Sequence, residues 1–359
     1  MGDEPSEIPL SPERPARPEH VVGRDGLIEA YWAKLAYQSL VLVGPRGVGK
    51  RSLVGRMAAH PPEHFVALRW PLAQASSIEQ AVELLEAGVC EWVPSYSAAS
   101  GDWRARAIAA IAALVEFAEG EDKLVVLISA DLRVFMRTQT GREGHERIYQ
   151  LLRELCAMRQ RWSGLRMLFA GGSGVVAPRF DRQRFSIAFD DVSFAVVPPL
   201  DDIACWMLLG ALPLKLGGDA TDDLIDYSEG HPLLIHLLVD ALEGRESIDE
   251  DAISEALKQQ LEAPDDPLEL SNELALDRFF GAAEVEIARG LLDAVARSPN
   301  RPLVTLASEL DGQLGEDLCG LARTLVELSI FVRESGRYRF RYEFVRRAWE
   351  RARALEASR

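Results

Sequence analysis

Apolar residues follow two different periods along the chain, and the two alternate between residues 20 and 198. Short runs without polar residues, such as Leu40-Val41-Leu42-Val43, are typical of strands that are buried on both faces. Longer segments between them have an apolar residue every three or four positions, as Ile148, Leu152 and Leu155 do, which is typical of amphipathic helices. This alternation predicts an α/β domain, residues 20–198, with a parallel sheet covered by helices on both faces. The predicted strands are 39–43, 65–70, 124–128, 165–170 and 194–197.

The pattern changes at Pro198-Pro199, beyond which the sequence predicts helices without strands as far as residue 275. We expect residues 199–275 to form a helical lid domain. Its predicted helices are 201–212, 221–227, 232–242 and 247–261, followed by a hinge at Pro264-Asp265-Asp266-Pro267.

Residues 276–359 predict a third unit made of three helices and a β-hairpin. The helices are expected at 283–298, 304–310 and 315–329, and the hairpin turns at Ser335-Gly336. Three helices followed by a two-stranded wing describe a winged helix-turn-helix domain. In the second strand of the wing, the aromatic residues Tyr338, Phe340 and Tyr342 alternate with Arg337, Arg339 and Arg341.

Composition narrows the class of protein. The chain is 48% hydrophobic and 27% charged, as globular proteins usually are, and its net charge of −16 argues against a chain that coats nucleic acid. No apolar run approaches the ~20 residues needed to cross a bilayer, so we expect a cytoplasmic protein with no membrane partner. The four cysteines are scattered, which argues against disulfides and zinc sites. Residues 1–19 contain five prolines among acidic and small residues, and we expect a disordered tail there.

A glycine-rich motif lies directly after the first predicted strand. Gly44-Pro45-Arg46-Gly47-Val48-Gly49-Lys50 matches the pattern G-x-x-x-x-G-K, and an amphipathic helix is predicted to follow it. Glycines let successive backbone N–H groups point toward an anion, and the start of a helix adds positive potential. Lys50 can bridge the outer phosphates of a nucleotide. Strand, glycine turn and helix together predict a phosphate-binding P-loop.

The residue after this motif differs from the usual one. A Ser or Thr hydroxyl normally holds Mg²⁺ at that position, but here the residue is Arg51. Ser52 is rotated by about 100° around the helix axis, so it cannot replace that hydroxyl, although it can hydrogen-bond the α-phosphate. The guanidinium of Arg51 either supplies positive charge in place of the metal or fills the metal position and blocks it. The sequence leaves both alternatives open.

The order of these features resembles the AAA+/STAND group of P-loop ATPases, in particular its archaeal-type ATPase branch, over roughly residues 21–349. Val21-Val22-Gly23-Arg24-Asp25 resembles the opening box of that group, whose backbone lies against adenine. Leu168-Phe169-Ala170-Gly171-Gly172-Ser173 resembles a fourth strand that ends in a polar sensor residue, here Ser173. Pro199-Leu200 is similar to the start of the lid, and Gly230-His231-Pro232 is similar to the lid element that touches the nucleotide.

The resemblance implies ATP or ADP as the ligand, and it makes Lys50 and Ser173 the candidate catalytic residues. It also implies a carboxylate for the metal and a catalytic base after the strand at 124–128, where this chain has Ser129-Ala130. Asp131 becomes the metal carboxylate only if the register shifts by two residues, about 6.6 Å along the strand. The implied nucleotide contacts are Val22, Gly23, Arg24, Gly44, Pro45, Arg46, Gly47, Val48, Gly49, Lys50, Arg51, Ser52, Gly230 and Pro232.

These observations lead to a hypothesis with three rivals. We expect a nucleotide-dependent switch or scaffold that works with a protein partner and hydrolyses ATP weakly or not at all, because the usual Mg²⁺ ligands are replaced. The first rival is an active ATPase with an unconventional metal site. The second is a DNA-binding regulator in which Arg337, Arg339 and Arg341 contact phosphates. The third is a pure interaction protein whose nucleotide pocket is vestigial. The helix before the wing carries Glu316, Asp317 and Glu327, which is unfavourable for a helix that enters the major groove.

Overall fold

A parallel sheet forms the centre of the first domain. The computed structural model describes residues 8–10, 14–130, 132–139, 141–171, 192–245, 247–268, 270–309 and 316–358. Five strands lie in the order β2-β3-β4-β1-β5, and all neighbouring pairs are parallel. This confirms the predicted α/β fold, and the strands are β1 (Ser39–Val43), β2 (Phe65–Arg69), β3 (Leu124–Ser129), β4 (Leu165–Ala170) and β5 (Val192–Val196).

Helices pack on both faces of the sheet, as the apolar pattern of β1 requires. Val41 and Val43 pack in one core cluster with the helices at 78–92, 103–120 and 141–161, whereas Leu40 and Leu42 pack in another with the helices at 25–35 and 50–59. All four side chains are at most 2% exposed, and such burial stabilises the fold by about 1.5–3 kcal/mol per side chain. The helices are α1 (Asp25–Leu35), α2 (Lys50–Ala59), α3 (Ile78–Trp92), α4 (Trp103–Gly120), α5 (Leu132–Thr138) and α6 (Gly141–Arg161).

The helical lid follows β5. The carboxylates of Asp201 and Asp249 accept backbone N–H groups from Ala204 and Ala252, which fixes the starts of its first and last helices. Pro232 takes the first position of the third helix, where its missing N–H costs nothing. The lid helices are α7 (Asp202–Ala211), α8 (Gly218–Ser228), α9 (Pro232–Leu242) and α10 (Glu250–Glu262).

The C-terminal unit combines helices with a small antiparallel sheet. Its strands lie in the order β6-β8-β7, so a short strand joins the predicted hairpin. This unit and the lid share one continuous core, in which Leu268 is buried, and Asp266 accepts the N–H groups of Leu270 and Ser271. The stretch predicted as a hinge is thus a capped, packed turn. The elements are α11 (Leu270–Glu273), α12 (Ala282–Arg297), β6 (Arg301–Pro302), α13 (Leu303–Glu309), α14 (Glu316–Glu327), β7 (Phe331–Glu334), β8 (Arg337–Phe340) and α15 (Glu343–Ala357).

Part of the N-terminal segment packs against the lid. Ile8 is only 5% exposed, and its N–H donates to the carbonyl oxygen of Ala211 at 2.8 Å. Pro18–His20 form a single turn of 3-10 helix. The expected disorder is therefore wrong for these residues, because one isoleucine buries its side chain in the lid core although its neighbours are polar or proline.

No helix in the described part of the chain combines the length and the apolar character that are needed to cross a bilayer.

Candidate functional site

The glycine-rich loop between β1 and α2 has the backbone conformation that its sequence predicts. Gly44, Gly47 and Gly49 have φ angles of 147°, 80° and 96°, in the region that residues with a Cβ rarely adopt. Val48, between them, is completely buried and fixes the loop to the domain core. The loop then leads into α2 at Lys50, so the positive end of that helix lies at the loop.

Lys50 lies across its own loop. Its Nζ donates to the carbonyl oxygens of Gly44 at 2.7 Å and Pro45 at 2.6 Å. The ammonium group therefore lies against the first two residues of the loop.

The two residues after Lys50 have different surroundings. Arg51 is exposed and lines the cavity next to the loop. The hydroxyl of Ser52 accepts the backbone N–H of Ala16 at 3.0 Å, so this side chain connects α2 to the N-terminal segment. Ser52 also lines the cavity.

The end of β3 does not provide a carboxylate among the described residues. Ser129 is 1% exposed and ends the strand, and Ala130 lines the cavity where the resemblance implied an acidic residue. Asp131 and Ser173, the candidates for metal binding and for the sensor role, lie outside the described residues. No cluster of His, Cys, Asp or Glu in the described part of the chain could hold a metal ion. The described residues therefore do not fit Mg²⁺.

A cavity of about 690 Å³ joins the loop, the lid and the N-terminal segment. Apolar residues in its lining include Val21, Val22, Leu200, Leu208 and Leu233, and His236 also lies in the lining. The lining contains several basic residues, and none of its described residues is Asp or Glu, although the whole chain has a net charge of −16. The basic lining residues are Arg14, Arg17, Arg24, Arg46, Lys50 and Arg51.

The cavity collects most, but not all, of the residues that the sequence proposed for nucleotide contact. Val22, Arg24, Pro232 and residues 46–52 lie in its lining. Gly44 and Pro45 instead shape the loop and accept hydrogen bonds from Lys50. Sequence reasoning did not single out Arg14, Arg17 or His20, because the chain brings them to the cavity only through the fold.

Gly23 and Arg24 connect the first domain to the lid. A Cβ on Gly23 would lie 2.1 Å from Cβ of Ala204 in α7, and φ of Gly23 is +65°. Arg24 is 6% exposed and donates to the carbonyl oxygens of Pro199 and Val48, both at 3.2 Å. Burial lowers the pKa of Arg24. Gly23 and Arg24 thus hold the lid against the glycine-rich loop.

His231 connects the lid to the glycine-rich loop. Its Nδ1 accepts the N–H of Leu234 at 3.3 Å, so Nε2 carries the proton and donates to the carbonyl oxygen of Arg46 at 2.8 Å. The ring is 1% exposed, and burial lowers its pKa to about 4, which keeps it neutral at pH 7. A Cβ on Gly47 would lie 2.8 Å from this ring and 2.5 Å from Cβ of Leu233, so only glycine allows this close approach.

The same segment also contacts the C-terminal unit. The ring of His231 meets Tyr342 and Phe344 edge-on, with centroids 5.2 and 5.3 Å away. Glu229 accepts the backbone N–H of Glu343 at the start of α15, and burial raises the pKa of Glu229. Gly230, between them, accepts the N–H of Leu200 at 2.8 Å. Residues 229–233, named the junction segment here, therefore touch all three parts of the molecule.

The arginines of the predicted wing make contacts within the chain. Arg339 pairs with Glu334 at 2.8 Å, and Arg337 donates to the carbonyl oxygen of Asn300 at 3.0 Å. Arg341 is partly buried, which lowers its pKa. Its neighbours Tyr338 and Phe340 are buried, as the alternation predicted.

Comparison with known proteins identifies the fold. No protein-family model and no curated protein matches the chain. The Walker-type ATPase of Pyrococcus abyssi superposes with a TM-score of 0.64 at 14% identity, over 95% of this chain and 99% of that chain. The ORC2 protein of Aeropyrum pernix in its ADP form gives a TM-score of 0.49 at 15% identity, over 97% of both chains. A STAND protein with a tetratricopeptide-repeat sensor from Pyrococcus horikoshii gives 0.36 at 13% identity, over 98% of this chain and 44% of that one.

The first of these similarities covers nearly the whole of both chains. It shows that this chain shares the fold of that Walker-type ATPase, in agreement with the fold that the sequence motifs implied.

Proposed function

We propose that this protein binds ATP or ADP and uses the bound nucleotide to set the relative positions of its α/β domain, lid and C-terminal unit. The proposal rests on the contacts of the junction segment. There His231 donates to the backbone carbonyl oxygen of Arg46 in the glycine-rich loop and packs against Tyr342 of the C-terminal unit. A ligand that changes the conformation of the loop must also change these contacts; otherwise the contacts oppose its binding.

The loop supports binding of a polyphosphate. Three glycines of the loop have positive φ, which a phosphate-binding turn requires, and Nζ of Lys50 lies against the loop. Phosphate oxygens would replace the two carbonyl oxygens that Lys50 now contacts, so the ammonium exchanges one set of acceptors for another. The apolar side chains in the cavity lining, such as Val22, Leu200 and Leu208, suit the base of a nucleotide.

Weak or absent hydrolysis is part of the proposal. Phosphoryl transfer is accelerated by a positioned metal and by a base that orients water. Here Arg51 and Ala130 occupy the positions where a metal-binding hydroxyl and a carboxylate are expected, and the described cavity lining has no acidic residue. Binding without turnover is the behaviour that this arrangement supports, and it suits a switch that works with a protein partner.

Calorimetric titration of the full chain with ATP and ADP tests the binding. Wild type is expected to bind, and Lys50→Ala is expected to bind about tenfold or more weakly, because a charge-assisted contact to phosphate is lost. Hydrogen exchange of residues 316–358 with and without nucleotide then tests the switch, since the first residue of α15, Glu343, contacts Glu229 of the junction segment. Failure of wild type to bind either nucleotide would refute the proposal.

The first two rival functions have separate tests. Steady phosphate release by wild type that disappears in Lys50→Ala would establish an active ATPase instead. A salt-dependent shift of duplex DNA that is lost when Arg337, Arg339 and Arg341 are all changed to Gln would favour a DNA-binding regulator. The contacts of Arg339 with Glu334 and of Arg337 with Asn300 weigh against the second rival.

A further inference from the structure

A histidine of the lid, His236, lines the cavity without a hydrogen-bond partner. It lies in the second turn of α9. Its Nδ1 is buried and has no partner, although buried polar atoms are normally hydrogen-bonded. Its Nε2 is accessible and makes no hydrogen bond to any described residue either. The imidazole therefore keeps one accessible polar atom for a group that comes from outside the chain.

The accessible side of His236 belongs to the cavity wall. Most of α9 is buried, and its more exposed positions include Pro232, His236 and Asp240, at a spacing of four residues. Residues four apart lie on the same face of a helix. Pro232 and His236 both line the cavity, so this face of α9 forms part of its wall.

The surroundings of the ring decide which nitrogen carries its proton. A neutral imidazole has a single N–H, and at Nδ1 of His236 that group would be buried without an acceptor. On Nε2 the N–H can reach water or a ligand instead. Burial lowers the pKa of His236, so the ring is neutral at pH 7. His236 therefore presents an uncharged N–H donor to the cavity.

This donor lies beyond the part of α9 that contacts the glycine-rich loop. At the start of the helix, the N–H of Leu233 donates to the carbonyl oxygen of Gly47 at 3.3 Å. His236 comes one turn after Pro232, about 6 Å further along the helix axis. A nucleotide whose phosphates lie at the loop extends its base into the rest of the cavity. An uncharged donor suits a base nitrogen there, whereas phosphates are held by charged groups such as Lys50.

We propose that Nε2 of His236 donates a hydrogen bond to a ring nitrogen of the adenine base, which makes His236 a specificity-determining residue of the nucleotide site. This inference rests on the proposed function, because it names the part of the ligand that the lid recognises. The ring nitrogens of adenine that lack a substituent are hydrogen-bond acceptors. Inorganic tripolyphosphate has the same charged groups as the phosphate chain but no base, so it separates the two parts of the site.

The first test compares full-length wild type, His236→Phe and the control His60→Phe. Phenylalanine keeps the approximate size of the ring but has no N–H. His60 is exposed and does not line the cavity, so its substitution removes an imidazole elsewhere. Each protein is titrated with ATP and with tripolyphosphate, and thermal unfolding checks that each variant is folded.

His236→Phe should bind ATP about 5- to 10-fold more weakly than wild type, because one hydrogen bond to the base is lost. It should bind tripolyphosphate within about twofold of wild type, since the loop is unchanged. His60→Phe should stay within about twofold of wild type for both ligands. Lys50→Ala should instead weaken the binding of both ligands, because both contain phosphates.

Deaza analogues of ATP test the same contact on the unaltered protein. In each analogue, a C–H replaces one ring nitrogen of adenine. Wild type should bind one of these analogues about 5- to 10-fold more weakly than ATP, and His236→Phe should not distinguish that analogue from ATP. His236→Gln should recover part of the affinity for ATP that His236→Phe loses, because the glutamine amide can place an N–H near the position of Nε2.

Three outcomes would overturn the inference. Equal affinities of wild type and His236→Phe for ATP would show that the ring does not contact the base. An equal loss for ATP and tripolyphosphate would show that the substitution acts on the phosphate loop. Wild type that binds every analogue as tightly as ATP would exclude a ring nitrogen as the acceptor. If wild type binds neither ATP nor tripolyphosphate, the proposed function fails as well, so the two failures are distinguishable.

Discussion

The imidazole of His231 should make the folded state sensitive to pH, and the size of the effect follows from its burial. The pKa of this ring is lowered from 6.5 to about 4 because the side chain is removed from water. As the pH falls below about 6.5 the unfolded chain takes up this proton, whereas the folded chain takes it up only near pH 4. The contribution of the neutral ring is therefore fully present above pH 6.5 and is lost progressively toward pH 4.

The magnitude can be worked out from these two values. A difference of about 2.5 pKa units limits the loss to about 3 kcal/mol, and lowering the pH from 7 to 5 alone should cost about 2 kcal/mol of unfolding free energy. His231→Gln removes this term, because glutamine does not titrate. It keeps an N–H that can donate to the carbonyl oxygen of Arg46, but it loses the ring contacts with Tyr342 and Phe344. At pH 7 we expect it to be destabilised by about 1–3 kcal/mol.

Urea unfolding at pH 7 and pH 5, followed by circular dichroism, measures both quantities. Wild type should lose about 2 kcal/mol more than His231→Gln over this interval. The control is His60→Gln, at an exposed position, which should keep the pH dependence of wild type. Equal pH dependence in wild type and His231→Gln would refute the reasoning, because the buried ring would then not be the group that titrates.

Two further substitutions test the contacts between domains. Gly23→Ala should destabilise the protein by about 2–4 kcal/mol in thermal or urea unfolding, since φ is +65° and the new Cβ would lie 2.1 Å from Cβ of Ala204. The control is Gly26→Ala, where nothing lies within 4 Å of the new Cβ. It should change the free energy of unfolding by less than about 1 kcal/mol. Glu229→Ala should cost about 1–2 kcal/mol and speed hydrogen exchange at the start of α15, because the N–H of Glu343 loses its acceptor; unchanged exchange there would argue against this contact.

The sequence predicted those parts of the site that consist of a local motif. The glycine-rich loop and Lys50 lie where the motif placed them, with the predicted strand before and the predicted helix after. The opening box and the Gly230-His231-Pro232 element were identified only by resemblance, which implied contact with nucleotide. In the fold, Gly23 allows a close approach between the α/β domain and the lid, and Gly230 allows one to Leu200 within the lid. The roles proposed for Asp131 and Ser173 stay predictions, because both residues lie outside the described part of the chain.

The sequence by itself determined the helices and strands and their order. The spacing of apolar residues, the capping side chains and the glycines each act on the backbone within a few residues. Leu40-Val41-Leu42-Val43 can form little other than a strand buried on both faces, and Asp201 caps α7 from the adjacent position. Only the tertiary structure decided which distant residues meet at the cavity. Ala16 reaches Ser52 across 36 positions, Arg24 reaches Pro199 across 175, and His231 reaches Arg46 across 185. Such pairs depend on how lid and sheet pack together, and no local pattern of polar and apolar residues records that geometry.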